Sequence, residues 1–274
     1  MTDEAGKPNP VQALGARVLG MAGYLGGMAL LLGRTLQLAW IGTFRPRGRA
    51  GKKALWVQMV RVGVRSAGIV CLVQIFIGVI LALQLAPPLE NPWGQSAMVP
   101  NIIGIAGFRM MGPIITAVVL SGFAGASIAA ELGTMVVAEE VEALQAHALD
   151  PVRFLVVPRV MATFWMTILL TIIADWMIAL GGYLTAAAVL EPKVYIGYWD
   201  RMRDQLKFRD FFSGLIMAGV FGIIISLIAC FEGLRVRGGA EGVGRATTMT
   251  VVYSIVGIIL SACVFTMIFY VYKI

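Results

Sequence analysis

The sequence predicts an all-α integral membrane protein, with about five transmembrane helices, an N-terminal interfacial helix and a short amphipathic helix between spans two and three. Three observations carry that prediction. Hydrophobic residues make up 59% of the 274-residue chain and charged residues only 14%, whereas a soluble domain is roughly one quarter charged. Mean hydropathy is +0.84, so polar groups cannot cover the apolar surface and lipid must cover part of it. Five apolar stretches are each about twenty residues or longer, enough to cross a bilayer as helix.

The first 53 residues read as a separate unit. Residues 1–10 are polar, include Pro8 and Pro10, and are expected to fray. Charge at the start, with no short apolar core before a cleavage site, argues against a secretory signal peptide. Residues 11–44 are apolar but glycine-rich, and Arg17 and Arg34 interrupt them. A central charge costs a spanning helix several kcal/mol, which favours a helix lying in the interface. The run RPRGRAGKK follows at 45–53. Residues 1–65 hold 10 Lys and Arg against Asp3 and Glu4, a net +8, while the rest of the chain is −1. That asymmetry predicts a cytoplasmic N-terminus that touches anionic lipid. Nucleic-acid binding is the rival reading of the run, and the lack of accompanying stacking aromatics argues against it.

Residues 54–274 form the membrane domain. Span one is expected over 67–86, where Pro87, Pro88 and Asn91-Pro92 stop it and Trp93 marks the interface. Span two is expected over 109–130. Span three runs over 160–190 and closes at Glu191-Pro192. Residues 191–210 are aromatic and of mixed charge, as an external loop would be. Span four covers 211–231, a glycine-rich loop 232–247, and span five 248–272. Five spans from a cytoplasmic N-terminus put the C-terminus outside, and the 131–153 and 232–247 loops inside.

Little in the chain supports metal or nucleophile chemistry. Cys71, Cys230 and Cys263 all sit in apolar runs and their number is odd, so neither a disulfide framework nor a thiolate metal site is expected. His147 is the one histidine and falls outside the spans. No Ser/His/Asp or metal-ligand constellation marks an enzyme. Nor does a GxxxxGK[ST] pattern occur, since Gly242-Val243-Gly244-Arg245-Ala246-Thr247 lacks the spacing and the lysine.

Residues 112–159 are the most informative stretch. Ser121, Gly125, Ala129 and Gly133 recur every four residues, with Gly122, Ala126 and Ala130 in the adjacent row. Such rows let another helix approach closely, either within one subunit or at a subunit seam or cavity. The next segment has helical periodicity: Val137, Val141, Leu144 and Ala148 share one face, while Glu139 and Glu142 point away and Glu140 flanks them. Gly133-Thr134 offers a start for this helix. Asp150-Pro151 offers the N-cap and first position of the next one.

These residues, in this order, resemble the permeases of the MlaE/YrbE type, the membrane subunits of ABC transporters that work with MCE-domain proteins. The resemblance rests on Gly112-Pro113, Gly122, Gly125, Ala130-Glu131-Leu132-Gly133-Thr134-Met135, Glu139-Glu140, Glu142-Ala143-Leu144, Asp150-Pro151 and Pro158-Arg159. It extends to Phe76–Gln84 in span one, Asp175 with Gly181-Gly182 in span three, Phe231-Glu232-Gly233, and Gly244-Arg245-Ala246-Thr247-Thr248. It covers about residues 54–270. It implies a homodimer in the cell inner membrane, a separate ATPase that binds ATP and magnesium, an MCE-domain partner outside and in some systems a STAS-domain regulator. No cofactor is implied for this chain itself. The cargo would be a lipid, such as a phospholipid, or another hydrophobic molecule. The acidic segment becomes a cytoplasmic coupling helix, with Glu131, Thr134, Glu139, Glu140, Glu142, Leu144, Asp150 and Arg245 as implied ATPase-coupling residues. The implied substrate cavity, between two permeases, takes Phe76, Leu83, Gln84, Met110, Met111 and Phe123.

Two positions depart from the family pattern. Where the family commonly carries Arg-Glu before Leu-Gly-Pro, this chain has Arg109-Met110-Met111-Gly112-Pro113, with Met110 in place of the Glu; where it has Gly-Arg-x-Gly, this chain has Gly122-Phe123-Ala124-Gly125, with Phe123 in place of the Arg. Losing two intramembrane charges predicts a more apolar cavity and a different cargo or partner contact. Asp175 is a lone acid within span three. It supports either a structural hydrogen bond or an ion-coupling role, and the latter would make the chain a secondary transporter. A non-transporting membrane scaffold is the third reading.

Overall fold

A computed structural model describes residues 10–44, 49–90, 96–190 and 192–272. The polar terminus 1–9, residues 45–48 of the basic run, the stop at 91–94 and Glu191 lie outside the described residues. Every regular element among the described residues is helical. That is what lipid demands, because a helix satisfies its backbone internally.

Helix α1 spans Pro10–Phe44 and α2 spans Arg49–Met59. Five continuous helical stretches are long and apolar enough to cross a membrane: Lys53–Leu89, Val99–Val137, Val152–Ala188, Phe208–Leu234 and Gly239–Val271. Span one is α3 (Arg65–Glu90), reached from α2 through a π turn, Val60–Val64. Span two is three helices in line, α4 (Val99–Ala106), α5 (Gly112–Leu120) and α6 (Ala126–Val137), joined by π turns at Gly107–Met111 and Ser121–Gly125. A short helix, α7 (Glu140–Ala146), leads to a π turn, Val152–Val156, and to α8 (Val157–Ala188), which is span three. Helices α9 (Pro192–Tyr195) and α10 (Tyr198–Gln205) cover the far end, and α11 (Phe208–Leu234) and α12 (Gly239–Val271) are spans four and five.

All five expected spans exist, and all are longer than expected. Polar residues that read as loop continue the helices, because a membrane helix extends past the hydrocarbon into the interface. Pro87 and Pro88 do not end span one: both lie inside α3, which runs to Glu90. A proline removes the hydrogen bond to the residue four before it and crowds that carbonyl, here Leu83 and Gln84, and near a helix end few further bonds depend on that turn. The expected helix start at Gly133-Thr134 is also corrected. Helix α6 continues to Val137, and the break falls at Ala138-Glu139, with Glu139 at φ 59°.

Close backbone approach holds the bundle together. Gly78 of α3 lies against Ile178 O of α8, and Gly181 of α8 lies against Ile75 O of α3. A Cβ at either position would collide with the neighbouring carbonyl, the small-residue logic of membrane helix pairs. Thr163, Thr167 and Thr171 each donate to the carbonyl four residues back, at 2.7–2.8 Å, which satisfies their hydroxyls without a partner helix. Two apolar clusters result. One, around Leu132, Val156, Phe221 and Ile225, sits toward α7. The other, around Ile103, Phe108, Ile178 and Tyr198, sits toward the far end. There Tyr198 Oη donates to Ala179 O at 3.3 Å and Arg201 Nη1 to Ala97 O at 3.2 Å. Burial raises the Tyr198 phenol above its ordinary value, so it remains a neutral donor.

Candidate coupling site and substrate face

The end of the bundle that carries α7 concentrates the expected coupling residues. The periodicity reading holds for the middle of the segment: Val141 and Leu144 pack on the apolar cluster beneath, and Glu140 and Glu142 are exposed in the first turn. It fails at both ends. Val137 belongs to α6 and is 46% exposed. Ala148 is exposed at φ 57°, beyond the end of α7, where Leu149 N donates back to Leu144 O at 3.0 Å. The two left-handed residues, Glu139 and Ala148, bracket the helix and set its angle to the spans.

The connector after α7 and helix α6 before it are both fastened. Asp150 accepts from Val152 N at 3.0 Å, capping the π turn as expected, and from Arg34 Nη2 of α1 at 3.1 Å. On the other side Glu131 receives two arginines. Arg61, from the π turn before span one, pairs with Oε2, and Arg159 of α8 meets Oε1 at 3.1 Å. The Arg159 side chain is 5% exposed, and its Nη1 also donates to Leu155 O at 2.7 Å. Thr134 turns its hydroxyl to Glu131 O at 2.9 Å. Arg245 is exposed and pairs with Glu241 at 3.4 Å. Helix α1 rests on this same end, with Tyr24 edge-on to Phe231 at 4.9 Å.

The structure therefore divides the expected coupling residues in two. Glu139, Glu140, Glu142 and Arg245 face outward. Leu144 and Asp150 hold α7 to the bundle, while Glu131 ties α6 to Arg61 and Arg159 and Thr134 donates to the Glu131 backbone carbonyl. Arg61 and Arg159 were not singled out as Glu131 partners, because 70 and 28 positions of sequence separate them from it. Helix α7 is a short element with an acidic outer face, joined to spans two and three along the chain and tied to α1 through Asp150.

The expected cavity residues lie on outward faces. Phe76 is 58% exposed, Phe123 41% and Met110 37%. Leu83 and Gln84 are exposed too, and Met111 is half-buried. The two small-residue rows of span two have separate roles. Ser121, Gly125, Ala129 and Gly133 are buried inside the chain, with Gly125 against Ile225 and Thr250 and Gly133 against Val236 and Val243. Gly122, beside Phe123, is exposed and has nothing within 4 Å of a Cβ position. The Arg109 guanidinium, one residue before Met110, meets Asp210 Oδ1 at 3.3 Å and lies 5.3 Å over the Phe269 ring, joining spans two, four and five. Among the described residues, no group of three His, Cys, Asp or Glu is arranged to hold a metal ion.

A bundle of five helices long and apolar enough to cross a membrane, with an acidic helix between its second and third spans, is the build of a multi-pass membrane protein. The family comparison is specific about which. The model of the family described as Permease MlaE matches residues 55–268. A probable ABC transporter permease protein of Rickettsia felis is 37% identical over 213 residues, covering 78% of this chain and 82% of its own. The intermembrane phospholipid transport system permease protein MlaE of Haemophilus influenzae is 30% identical over 250 residues, covering 90% and 92%. The chloroplastic protein trigalactosyldiacylglycerol 1 of Arabidopsis thaliana is 33% identical over 213 residues, covering 78% and 60%. The chain belongs to the MlaE permease family, and so to the permeases of ABC transporters.

Proposed function

We propose that this chain is the inner-membrane permease subunit through which a separate ATPase drives movement of phospholipids or similar hydrophobic molecules. Two copies would form the transport unit. An MCE-domain protein would receive or deliver the cargo on the far side, and a STAS-domain regulator is compatible with this arrangement. The lipid class comes from the Haemophilus relative's name. ATP and magnesium belong to the partner ATPase. Family membership favours this reading over an ion-coupled secondary transporter or a scaffold.

The observation that carries the proposal is the mounting of α7. Its acids point out, its apolar residues point in, and ion pairs hold the connector after it at Asp150 and helix α6 before it at Glu131. A basic cleft on an ATPase would find Glu139, Glu140 and Glu142 presented together, with Arg245 at the start of α12 on the same end of the bundle. Displacement of α7 would reach spans two and three as a rigid-body shift rather than dissipating in a loop. The substrate face would be the exposed strip through Phe76, Leu83, Gln84, Met110, Met111 and Phe123, closed by the second copy. The two missing family charges make that strip suit bulkier or less polar cargo.

The test is double charge reversal, Glu140→Lys with Glu142→Lys, in the reconstituted complex. We expect the permease to fold and dimerise unchanged, while ATPase association weakens at least tenfold and lipid-stimulated hydrolysis disappears. Undiminished association and stimulation would overturn the docking assignment.

A further inference from the structure

Three spans bring polar groups together at Gly112, deep in the bundle. Asp175 lies near the middle of α8, is 1% exposed, and neither of its carboxyl oxygens has a hydrogen-bond partner. Gln74 of α3 is 0% exposed. Its Nε2 donates to Gly112 O at 3.1 Å and to Thr116 Oγ1 at 2.9 Å, while its Oε1 receives nothing. Gly112 follows the π turn of span two, and a Cβ there would collide with Asp175 Oδ1. The amide of span one and the acid of span three therefore meet the same backbone residue of span two. A π turn beside a functional group is a recurrent pairing.

The donor count decides what the cluster needs. Three buried oxygens, two from Asp175 and one from Gln74, lack donors. Both of Gln74's amide hydrogen bonds are already made. The charged groups on the packed elements are engaged or distant. Arg109, in the π turn, holds Asp210 and the Phe269 ring. Helix α3 carries no charge between Arg65 and Glu90, and α8 none after Arg159 except Asp175 itself. On α11, Asp210 and Glu232 lie near the two ends. The nearby titratable thiol, Cys71, is three residues before Gln74 on α3 and is a weak donor at best. An ionised carboxylate here would have no counter-charge, at a cost of many kcal/mol. A metal cation would need room and several ligands, yet Asp175 already fills the volume where Gly112 lacks a side chain.

We propose that Asp175 is a proton-binding site in the permease core. Its neutral carboxyl donates to Gln74 Oε1, directly or through one water, and fastens span three to span one across the Gly112 turn. The proton supplies a donor where an anion would leave three buried acceptors without one. Its release is therefore coupled to separation of these spans, where water or a cation can reach the acid. This site is distinct from α7 and from the exposed Phe76–Phe123 face, and it needs no ATPase to be observed.

Infrared spectroscopy of the purified full-length permease in lipid nanodiscs tests it. We expect a protonated-carboxyl C=O band, about one per chain, at pH 8. Labelling with carboxyl-¹³C aspartate should shift it, Asp175→Asn should abolish it, and Gln74→Leu should move it by removing its acceptor. The labelled wild-type spectrum gives the answer even if a variant folds poorly. Absence of any aspartate-dependent band at pH 8 would overturn the proposal. So would loss of the band on adding sodium but not potassium, which would make the occupant a metal ion.

Discussion

Arg159 presents a guanidinium that is almost wholly enclosed, and Glu131 is the carboxylate it meets among the described residues. The bundle tolerates that cation because the acid, shared with Arg61, neutralises it at the point where three spans converge. Removing one partner of a buried pair leaves the other uncompensated, which commonly costs 3–5 kcal/mol. Glu131 is 31% exposed, so solvent screens part of the loss and about 2 kcal/mol is the better expectation here. Glu131→Ala should therefore lower the thermal midpoint of the detergent-solubilised permease by several degrees. Glu131→Gln, whose amide oxygen still accepts, should recover part of it. A residue that only touched the ATPase would behave otherwise, weakening coupling with no change in the midpoint of the isolated permease. The two assays together decide whether Glu131 anchors or docks, and the geometry favours the anchor.

Helix α7 shows how an element can be read well in the middle and badly at its ends. The spacing of Val141 and Leu144 against Glu140 and Glu142 was legible because burial and exposure alternate at helical period. The break at Ala138-Glu139 was not legible, since neither residue is a breaker and left-handed backbone usually falls to glycine or asparagine. Pro87 and Pro88 misled in the opposite direction, because sequence punctuation does not reveal how much helix remains beyond it. Asp150 was readable as a cap, but its grip on Arg34, like that of Glu131 on its arginines, depends on contacts remote in sequence. The left-handed residues permit a test at this scale. A β-carbon in that conformation costs about 1–2 kcal/mol. Ala148→Gly should stabilise the permease by roughly 1 kcal/mol and leave ATPase stimulation intact. Glu139→Gly should stabilise it similarly but reduce stimulation, because it also removes an outward carboxylate. Thermal midpoints and lipid-stimulated hydrolysis on the two variants separate backbone strain from charge.

The orientation of the whole molecule follows from which charges gather at which end. Five spans place α7 and the turn after α11 on one side, and α9 with α10 on the other. The loops alone hardly favour either orientation. Residues 192–210 carry Lys193, Arg201, Arg203, Lys207 and Arg209, offset by Asp200, Asp204 and Asp210, while the α7 side is rich in glutamate. The tie is broken by the basic N-terminal run. Arg61 meets Glu131, which puts α2, with Arg49, Lys52 and Lys53 of the basic run, at the α7 end. Positive charge flanking the first span usually dominates topology, so the α7 end should be cytoplasmic and the C-terminus should face the opposite compartment. Single cysteines test this in a background where Cys71, Cys230 and Cys263 are replaced by serine or alanine. Gln145→Cys, exposed on α7, should resist a membrane-impermeant maleimide in intact cells and react once the membrane is opened. Asp204→Cys, exposed at the far end of the bundle, should react at once in cells whose outer barrier is permeable to the reagent. The reverse pattern would place α7 outside, away from any cytoplasmic ATPase. The coupling role of Glu140 and Glu142 would then fail together with the topology, even though the bundle itself would be unchanged.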